Sequence, residues 1–287
     1  MYPQKLNFND TRMTISVIMS VYESEKDSNL DRALQSIWDD QTLRPTEIIL
    51  VQDGPLPQDT LKVISHWKKK LGEVLHILKN EVNLGLTISL NKALKVAKCD
   101  LIARMDSDDI SLPDRFRKQE HHMSNHPETS ILGGSIQEFD DHNDCIYIRH
   151  YPLSNEAVIS TIHKASPLAH PAVIFRRSFF TDGHCYNEKY RKSQDLELWF
   201  EAVSNGYKIN NLEDPIVKFR RTPDMFRRRG SKSARMEFEI YMKGIYHMNG
   251  IFTFKYIYPL SRFIFRLLPH TLIKKIYESG FRNKITR

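Results

Sequence analysis

Strand and helix patterns alternate four times within residues 1–126, and this alternation restricts the fold more than any other feature of the chain. Residues 14–21 (TISVIMSV) are a short apolar, β-branched run that predicts a buried strand. A helix is predicted over 28–41, with Leu30, Ala33, Leu34 and Ile37 at helical spacing and Ser28 or Asn29 available as a cap. A second strand over 46–51 ends at the turn Gln52-Asp53-Gly54-Pro55. A helix over 61–71, a strand over 74–78, a helix over 86–98 and a strand over 100–105 continue the series. In the third of these helices Leu86, Leu90, Leu94 and Ala97 form one stripe, and a fourth helix over 113–125 has Pro113 in its first turn. Short connections in such a series predict an α/β fold, a mostly parallel central sheet flanked by helices. Ligands bind outside the carboxyl ends of the strands in sheets of this kind, so the residues just past each strand carry the functional information.

Past residue 126 the regular alternation stops. Two strands over 131–139 and 145–151 are joined by a polar turn at 140–144, followed by a short strand over 172–175. A helix over 196–203 has Leu196, Trp199 and Val203 on one face. This half is α+β and is read as an addition to the same sheet. The predicted divisions are a polar tail over 1–13, a main domain over 14–217 that changes pattern at 126/127, and a basic helical extension over 218–287. From Lys218 onward there are 17 Lys/Arg and 4 Asp/Glu, whereas the rest has 25 and 31. An acidic body with a basic extension implies an anionic partner for the extension. The N-terminus has no apolar signal-peptide core, which predicts a non-secreted, cytoplasmic protein. Cys99, Cys145 and Cys185 are odd in number and far apart, with no CxxC pair. Neither a disulfide framework nor a zinc site is suggested.

The densest chemical signal is Arg104-Met105-Asp106-Ser107-Asp108-Asp109, at the end of the fourth predicted strand. Three carboxylates within four residues repel one another and cannot all be buried unpaired. A hard divalent cation, Mg2+ or Mn2+, resolves that repulsion by taking carboxylate oxygens directly. The plain alternative is a solvated acidic turn ahead of the helix at Pro113, and the position after a strand favours a site. Asp53 follows the second strand, although an Asp before Gly54 is also an ordinary turn residue. Ser20-Val21-Tyr22 closes the first strand, where Tyr22 is either core or an aromatic placed to stack on a base. Asn83-Leu84-Gly85 precedes the third helix, so its N–H groups can face a phosphate or ribose.

In order, SVIMSVY, ILVQDG, NLGLTISLNKAL and ARMDSDDISLPDRFRKQ resemble the nucleotide-binding half of the inverting family 2 glycosyltransferases, which have the GT-A fold. The resemblance implies a nucleotide-binding half over 14–126 and an acceptor-side half over 127–217. It implies that Asp53 reads uracil or another base, and that Asp106 and Asp108 hold ribose and metal. Val21, Tyr22, Asn83, Gly85 and Ser107 complete the expected nucleotide-sugar site. Gln52 departs from the Asp often found in relatives. Ser193-Gln194-Asp195-Leu196-Glu197-Leu198-Trp199 resembles the family's acidic-pair segment, with Gln194 in place of the first acid. The resemblance makes Asp195 the general base, while the residue pattern alone favours a helix cap. Leu168-Ala169-His170-Pro171-Ala172-Val173 resembles the family's HP segment, so His170 is a pocket-lining candidate or a structural histidine. Arg220-Arg221 stands where relatives often have Arg, a hydrophobic residue and His, and either guanidinium can pair with diphosphate oxygens. Asp109, His170, Gln194, Arg220 and Arg221 are thus candidate acceptor or diphosphate contacts.

The implied activity is transfer of a sugar from a nucleotide diphosphate donor, expected to be a UDP-sugar, to an acceptor hydroxyl with inversion. The implied cofactor is Mn2+ or Mg2+, and the implied acceptor is a lipid-linked or oligosaccharide chain in bacterial surface-polysaccharide assembly. The extension has a basic loop, Arg227-Arg228-Arg229-Gly230, and an aromatic segment over 251–269 interrupted by Lys255, Arg262, Arg266 and Pro259. Those cations argue against a spanning helix and leave two readings: peripheral contact with an anionic membrane, or helices packed on the main domain. On a continuous helix Phe252, Tyr256 and Phe263 form one stripe, and Phe254, Tyr258 and Phe265 a second. An aspartyl-phosphate phosphatase also uses DxD, but on the first strand, and Ile110 stands where it needs Thr or Val. Nucleic-acid binding through the basic segment fits poorly with the acidic body, and no nucleic-acid partner is expected.

Overall fold

The computed structural model describes residues 12–221 and 231–267. The basic loop 227–230 and the last twenty residues therefore lie outside the described residues, as does most of the predicted tail 1–13. The strands are β1 (Ile15–Tyr22), β2 (Glu47–Asp53), β3 (Leu75–Asn80), β4 (Leu101–Arg104), β5 (Ile110–Ser111), β6 (Thr129–Phe139), β7 (Tyr147–Arg149), β8 (Ile174–Arg176) and β9 (Lys208–Arg220). The helices are α1 (Asp27–Trp38), α2 (Gln58–Leu71), α3 (Leu86–Leu94), α4 (Arg115–Asn125), α5 (Asn155–Thr161), α6 (Arg177–Thr181), α7 (Gln194–Ser204), α8 (Ser231–Asn249) and α9 (Ile257–Leu267).

All strands join one sheet in the order β3-β2-β1-β4-β8-β6-β9-β5, with β7 beside β6. β3, β2, β1 and β4 run parallel, as the alternating half of the sequence predicts. β8 runs antiparallel between β4 and β6, while the long β6–β9 pairing is parallel, so most of the paired length is parallel. In register, Tyr22 lies opposite Asp53 and Asp53 opposite Asn80, which brings three strand ends to one level.

Side chains alternate between the two sheet faces. Val17, Met19 and Val21 of β1 pack with Leu30, Leu34, Ile64, Trp67 and Phe116 of α1, α2 and α4. Ile18, Ile49 and Val51 face the other side, toward Leu90, Leu198, Trp199 and Phe200. Helix α8 joins this second layer through Ile240, Tyr241 and Ile245, all fully buried. Burial of such side chains stabilises by about 1.5–3 kcal/mol each, so α8 is part of the core. A Cβ on Gly244 would stand 2.2 Å from the Phe200 ring, so α7 and α8 pack closely because residue 244 has no side chain.

Several elements depart from the sequence pattern. The strand predicted over 145–151 pairs only at Tyr147–Arg149, on an exposed sheet edge. The strand predicted over 172–175 begins at Ile174, because His170–Ala172 form a 3-10 turn. The sequence pattern does not predict β9, which runs to Arg220, three residues past 217. Its Glu213, Asp214 and Pro215 read as a loop, but Pro215 sits at an irregularity opposite Ser135, where a strand tolerates proline. α5 is started by Ser154, whose Oγ accepts from the Ala157 amide at 3.2 Å.

The aromatic stripes predicted for the extension are not formed, because the segment is not one continuous helix. A turn at Gly250 and a 3-10 turn over Phe254–Tyr256 precede α9. Tyr256 donates its hydroxyl to the Gly250 carbonyl at 2.9 Å, Tyr258 packs edge-on against His163, and Phe263 stacks on Phe238. Among the described residues no helix is long and apolar enough to cross a membrane.

Candidate functional site

The carboxyl edge of the parallel strands carries the site. Asp53, at the end of β2, is buried and holds the loop after β3. Its Oδ1 accepts from the Leu84 amide at 2.8 Å and from Asn80 Nδ2 at 3.0 Å, and its Oδ2 accepts from the Gly85 amide at 2.9 Å. Gly54 has φ +89°, and a Cβ there would meet the Asn83 nitrogen at 2.7 Å, so β2 and the 83–85 loop touch through glycine. Asn83 is exposed and Gly85, at φ +93°, is half-buried in front of α3. Tyr22 is half-buried at the end of β1, while the Val21 side chain lies in the apolar core.

Beyond β4 the chain turns through the carboxylates. Ligand oxygens of Asp106, Asp108 and Asp109 lie within 4.8 Å of one another. Asp106 forms a bidentate ion pair with the buried guanidinium of Arg104. Asp109 is fully buried; its Oδ1 accepts from the Arg220 amide at 2.8 Å, and its Oδ2 has no partner among the described residues. Burial, then the charges of Asp108 and Asp106, hold the Asp109 carboxyl well above the usual carboxylate range. Burial, then Asp106 and Glu25, push Asp108 up to about 7. Arg104, Arg115 and Arg220 lie near the cluster, but only Arg104 pairs with one of its carboxylates, and among the described residues one buried oxygen is unsatisfied. All-oxygen donors in excess negative charge fit a hard divalent cation such as Mn2+ or Mg2+.

Three supporting residues have no role assigned from the sequence. Glu25, three residues past β1, accepts from Ser107 Oγ at 3.1 Å and adds a fourth carboxylate near Asp108. Its sequence signal is an acid just beyond a strand end. Arg104 is the central cation, and its charge also acts on His170, Tyr186 and Asp195. Arg115 is fully buried and donates to the Arg104 carbonyl at 2.7 Å, fixing the start of the acidic turn.

The second half of the chain closes the other side. Asp195 is half-buried in the first turn of α7, and Ser193 before it adopts a left-handed φ of 57°. Burial raises the Asp195 pKa; the Leu196 amide and Arg104 lower it, and Asp106 raises it. Asp195 and the DSDD turn therefore lie within one electrostatic field. Gln194 is buried, with its Oε1 unpartnered among the described residues. His170 is buried, 2.8 Å from the Tyr186 hydroxyl and edge-on to Trp199, and burial holds its pKa well below normal, so it is neutral. Arg220 donates from Nε to the Asp108 carbonyl at 3.0 Å and from Nη1 to Asp141 at 2.6 Å. Its guanidinium also lies over the Phe139 ring, 4.5 Å from the centroid. Arg221 turns instead toward Glu138, at 3.5 Å. The structure thus brings Asp53, Asn83 and Gly85 together, gathers Asp106, Ser107, Asp108, Asp109 and Arg220 around one turn, and leaves Asp195 within electrostatic reach of Arg104 and Asp106.

A mixed sheet with its carboxylates beyond the parallel strands, closed by a second α+β half, is the architecture of GT-A sugar transferases. The chain belongs to glycosyl transferase family 2, whose family model matches residues 16–185. It is 34% identical over 264 residues to the amylovoran biosynthesis glycosyltransferase AmsE of Erwinia amylovora, covering 92% of this chain and 97% of that protein. It is 30% identical over 280 residues to the Escherichia coli UDP-Gal:alpha-D-GlcNAc-diphosphoundecaprenol beta-1,3-galactosyltransferase, covering 96% and 98%. Among solved structures it is similar to the mannosyltransferase PcManGT from Pyrobaculum calidifontis in complex with GDP-Man and Mn2+. That match has a TM-score of 0.61 and 13% identity and covers 88% of this chain and 69% of the other, a likeness of fold. The protein is a glycosyltransferase, which removes the phosphatase alternative.

Proposed function

We propose that the enzyme transfers a sugar from a UDP-sugar to an acceptor hydroxyl with inversion, during assembly of a bacterial surface polysaccharide on a lipid-linked acceptor. The observation that carries this reading is the carboxylate cluster past β4, where oxygens of Asp106, Asp108 and Asp109 lie within 4.8 Å of one another and Arg104 pairs with Asp106. Support comes from the E. coli relative, whose name gives a UDP-sugar donor and a lipid diphosphate acceptor, and from AmsE, named for polysaccharide biosynthesis.

Asp53 accepts three hydrogen bonds, which leaves one acceptor position on Oδ2 for the N–H of a base. Tyr22 stacks on that base and Asn83 offers an N–H group to the ribose, while Gly85, whose own N–H goes to Asp53, lets the sugar approach the backbone closely. Asp106 and Asp108 would hold Mn2+ or Mg2+, with Ser107 and Asp109 beside them. When bound, the ion supplies positive charge to the diphosphate leaving group. Asp195 removes the proton of the acceptor hydroxyl as that oxygen attacks the anomeric carbon from the face opposite the leaving group. Arg104, Gln194 and Arg220 shape the diphosphate and acceptor side of the cleft. Neutral His170 fixes Tyr186 there as a buried wall. The basic extension brings the enzyme to the anionic inner face of the cytoplasmic membrane.

A donor screen tests the reading: nucleotide release from UDP-, GDP- and dTDP-sugars with Mn2+, Mg2+ or chelator. Release from a UDP-sugar that depends on metal and on Asp108 is expected. No release above that of the Asp108→Asn protein for any donor would sink it.

A further inference from the structure

The connection between α8 and α9 presents apolar side chains that stay exposed among the described residues. Phe252 and Phe254 are each 97% exposed, and Ile251 before them is 67% exposed. On α9, Ile257, Leu260 and Ile264 follow at steps of three and four, so they share one helix face, and they are 63%, 49% and 54% exposed. The opposite face of α9 is already engaged. Phe263 stacks on Phe238 with ring centroids 4.7 Å apart, Pro259 is buried, and Arg262 and Arg266 both reach Glu237. The helix therefore has its packing surface and a second apolar surface besides. The turn is also built to hold its shape: the Tyr256 hydroxyl bonds the Gly250 carbonyl, and Thr253 Oγ1 accepts from the Lys255 amide at 3.4 Å.

We propose that Ile251, Phe252, Phe254, Ile257, Leu260 and Ile264 form the surface on which this protein docks to an anionic lipid bilayer. This names the contacting residues for the membrane association read above and rests on that reading. Charge selects the occupant. Beside the surface Lys255 faces no carboxylate among the described residues and Arg262 and Arg266 share the single acid Glu237, and in sequence residues 268–287 add five Lys/Arg against one acid, Glu278. A second copy would bring the same positive charge against the surface, whereas anionic headgroups complement it. The shape agrees: two fully extended phenylalanines at a turn project outward and suit insertion into the headgroup boundary. The surface is also joined to the chemistry by packing. Arg262 of α9 donates to the Tyr241 hydroxyl at 3.2 Å, and Tyr241 packs on Phe200 of α7, whose first turn holds Asp195. Docking through α9 thus sets the Asp195 side of the cleft near the bilayer, where a lipid-linked acceptor resides.

The test is co-sedimentation of the full chain with phosphatidylcholine vesicles with and without phosphatidylglycerol, at low and high salt. The wild type and a Phe252→Ser, Phe254→Ser double variant are compared. The wild type is expected to bind the anionic vesicles and to be released by salt, and the double variant to bind at least about tenfold more weakly with an unchanged melting temperature. A Phe254→Trp protein should shift its emission to the blue on anionic vesicles and be quenched by brominated acyl chains. Equal sedimentation of wild type and double variant overturns the proposal. So does a wild-type dimer in solution that the double variant dissociates, since the surface then belongs to a second copy. Nucleotide release from UDP-sugars is measured on the same samples. Vesicle binding without any release leaves the docking surface standing and sinks the donor reading, and the reverse result sinks the surface alone.

Discussion

Replacing Asp108 by Asn is expected to make the metal-free protein more stable, with a gain that grows as the pH rises. Burial beside Asp106 and Glu25 moves the Asp108 carboxyl from 3.8 to about 7. A folded-state pKa above the unfolded value means that ionisation opposes folding. The penalty is absent below 3.8, grows as pH rises through the window up to about 7, and is complete above it. At 1.36 kcal/mol per unit the full effect is about 4 kcal/mol. Relaxation and water entry reduce it, so a gain of about 2–4 kcal/mol is expected at neutral pH and above. Urea unfolding of both proteins in chelator from pH 5 to 8 reads this directly: wild-type stability should fall across the series and the variant curve should stay flatter. Mn2+ should reverse the order by stabilising the wild type and leaving the variant unmoved, because the ion takes up the charge that destabilises the empty cluster. An Asp108→Asn protein no more stable than wild type in chelator at every pH would refute the idea that the turn stores repulsion for a cation.

Three further outcomes follow. Asp195→Asn should fold and bind UDP normally while transfer falls by about a hundredfold or more, measured with donor and acceptor under single-turnover conditions. Because burial raises the Asp195 pKa above 3.8, the acid limb of the wild-type kcat/KM profile should lie above that value, activity being lost as the base gains its proton. Isothermal titration of UDP should show strong binding with Mn2+ and a large loss in chelator, and equal affinity in both would count against a metal at Asp106 and Asp108. Gly244→Val should lower unfolding free energy by about 1–3 kcal/mol, since its side chain overlaps the Phe200 ring, and urea midpoints that match wild type would contradict the close helix packing.

The parallel half of the sheet is legible in the sequence because its signals are local. β1 to β4 are continuous apolar runs with a turn or helix after each, and parallel pairing needs nothing more. The DSDD turn is legible for the same reason, its acids being neighbours in the chain. The partners that give those acids their character are not neighbours: Ser107 meets Glu25 across 82 residues and Asp109 meets the Arg220 amide across 111. No periodicity reports such contacts. β9 is hidden by Glu213, Asp214 and Pro215, which suit the irregular middle of a long strand and read locally as a loop. The extension misleads in the opposite way, since its aromatic spacing presumes one helix from Phe252 onward, whereas a 3-10 turn occupies Phe254–Tyr256 and the helix begins only at Ile257.

The position of β9 in the chain has a consequence for biogenesis. β5 has β9 as its strand partner, and β9 begins almost one hundred residues after β5 ends. At about 5–20 residues per second a ribosome needs roughly 5–20 s to make that stretch. Through this interval β1 to β4 and α1 to α4 are available to pack on one face, the face that α7 covers stays open until residue 204 is made, and the acidic turn lacks the main-chain donor that later satisfies Asp109. The cluster is assembled last, when residues 208–220 slot beside β6 and close the edge. A chain that stops short of Arg220 lacks the amide that satisfies Asp109 and the α8 side chains of the second layer, so the acidic turn is left unfinished until synthesis has passed β9.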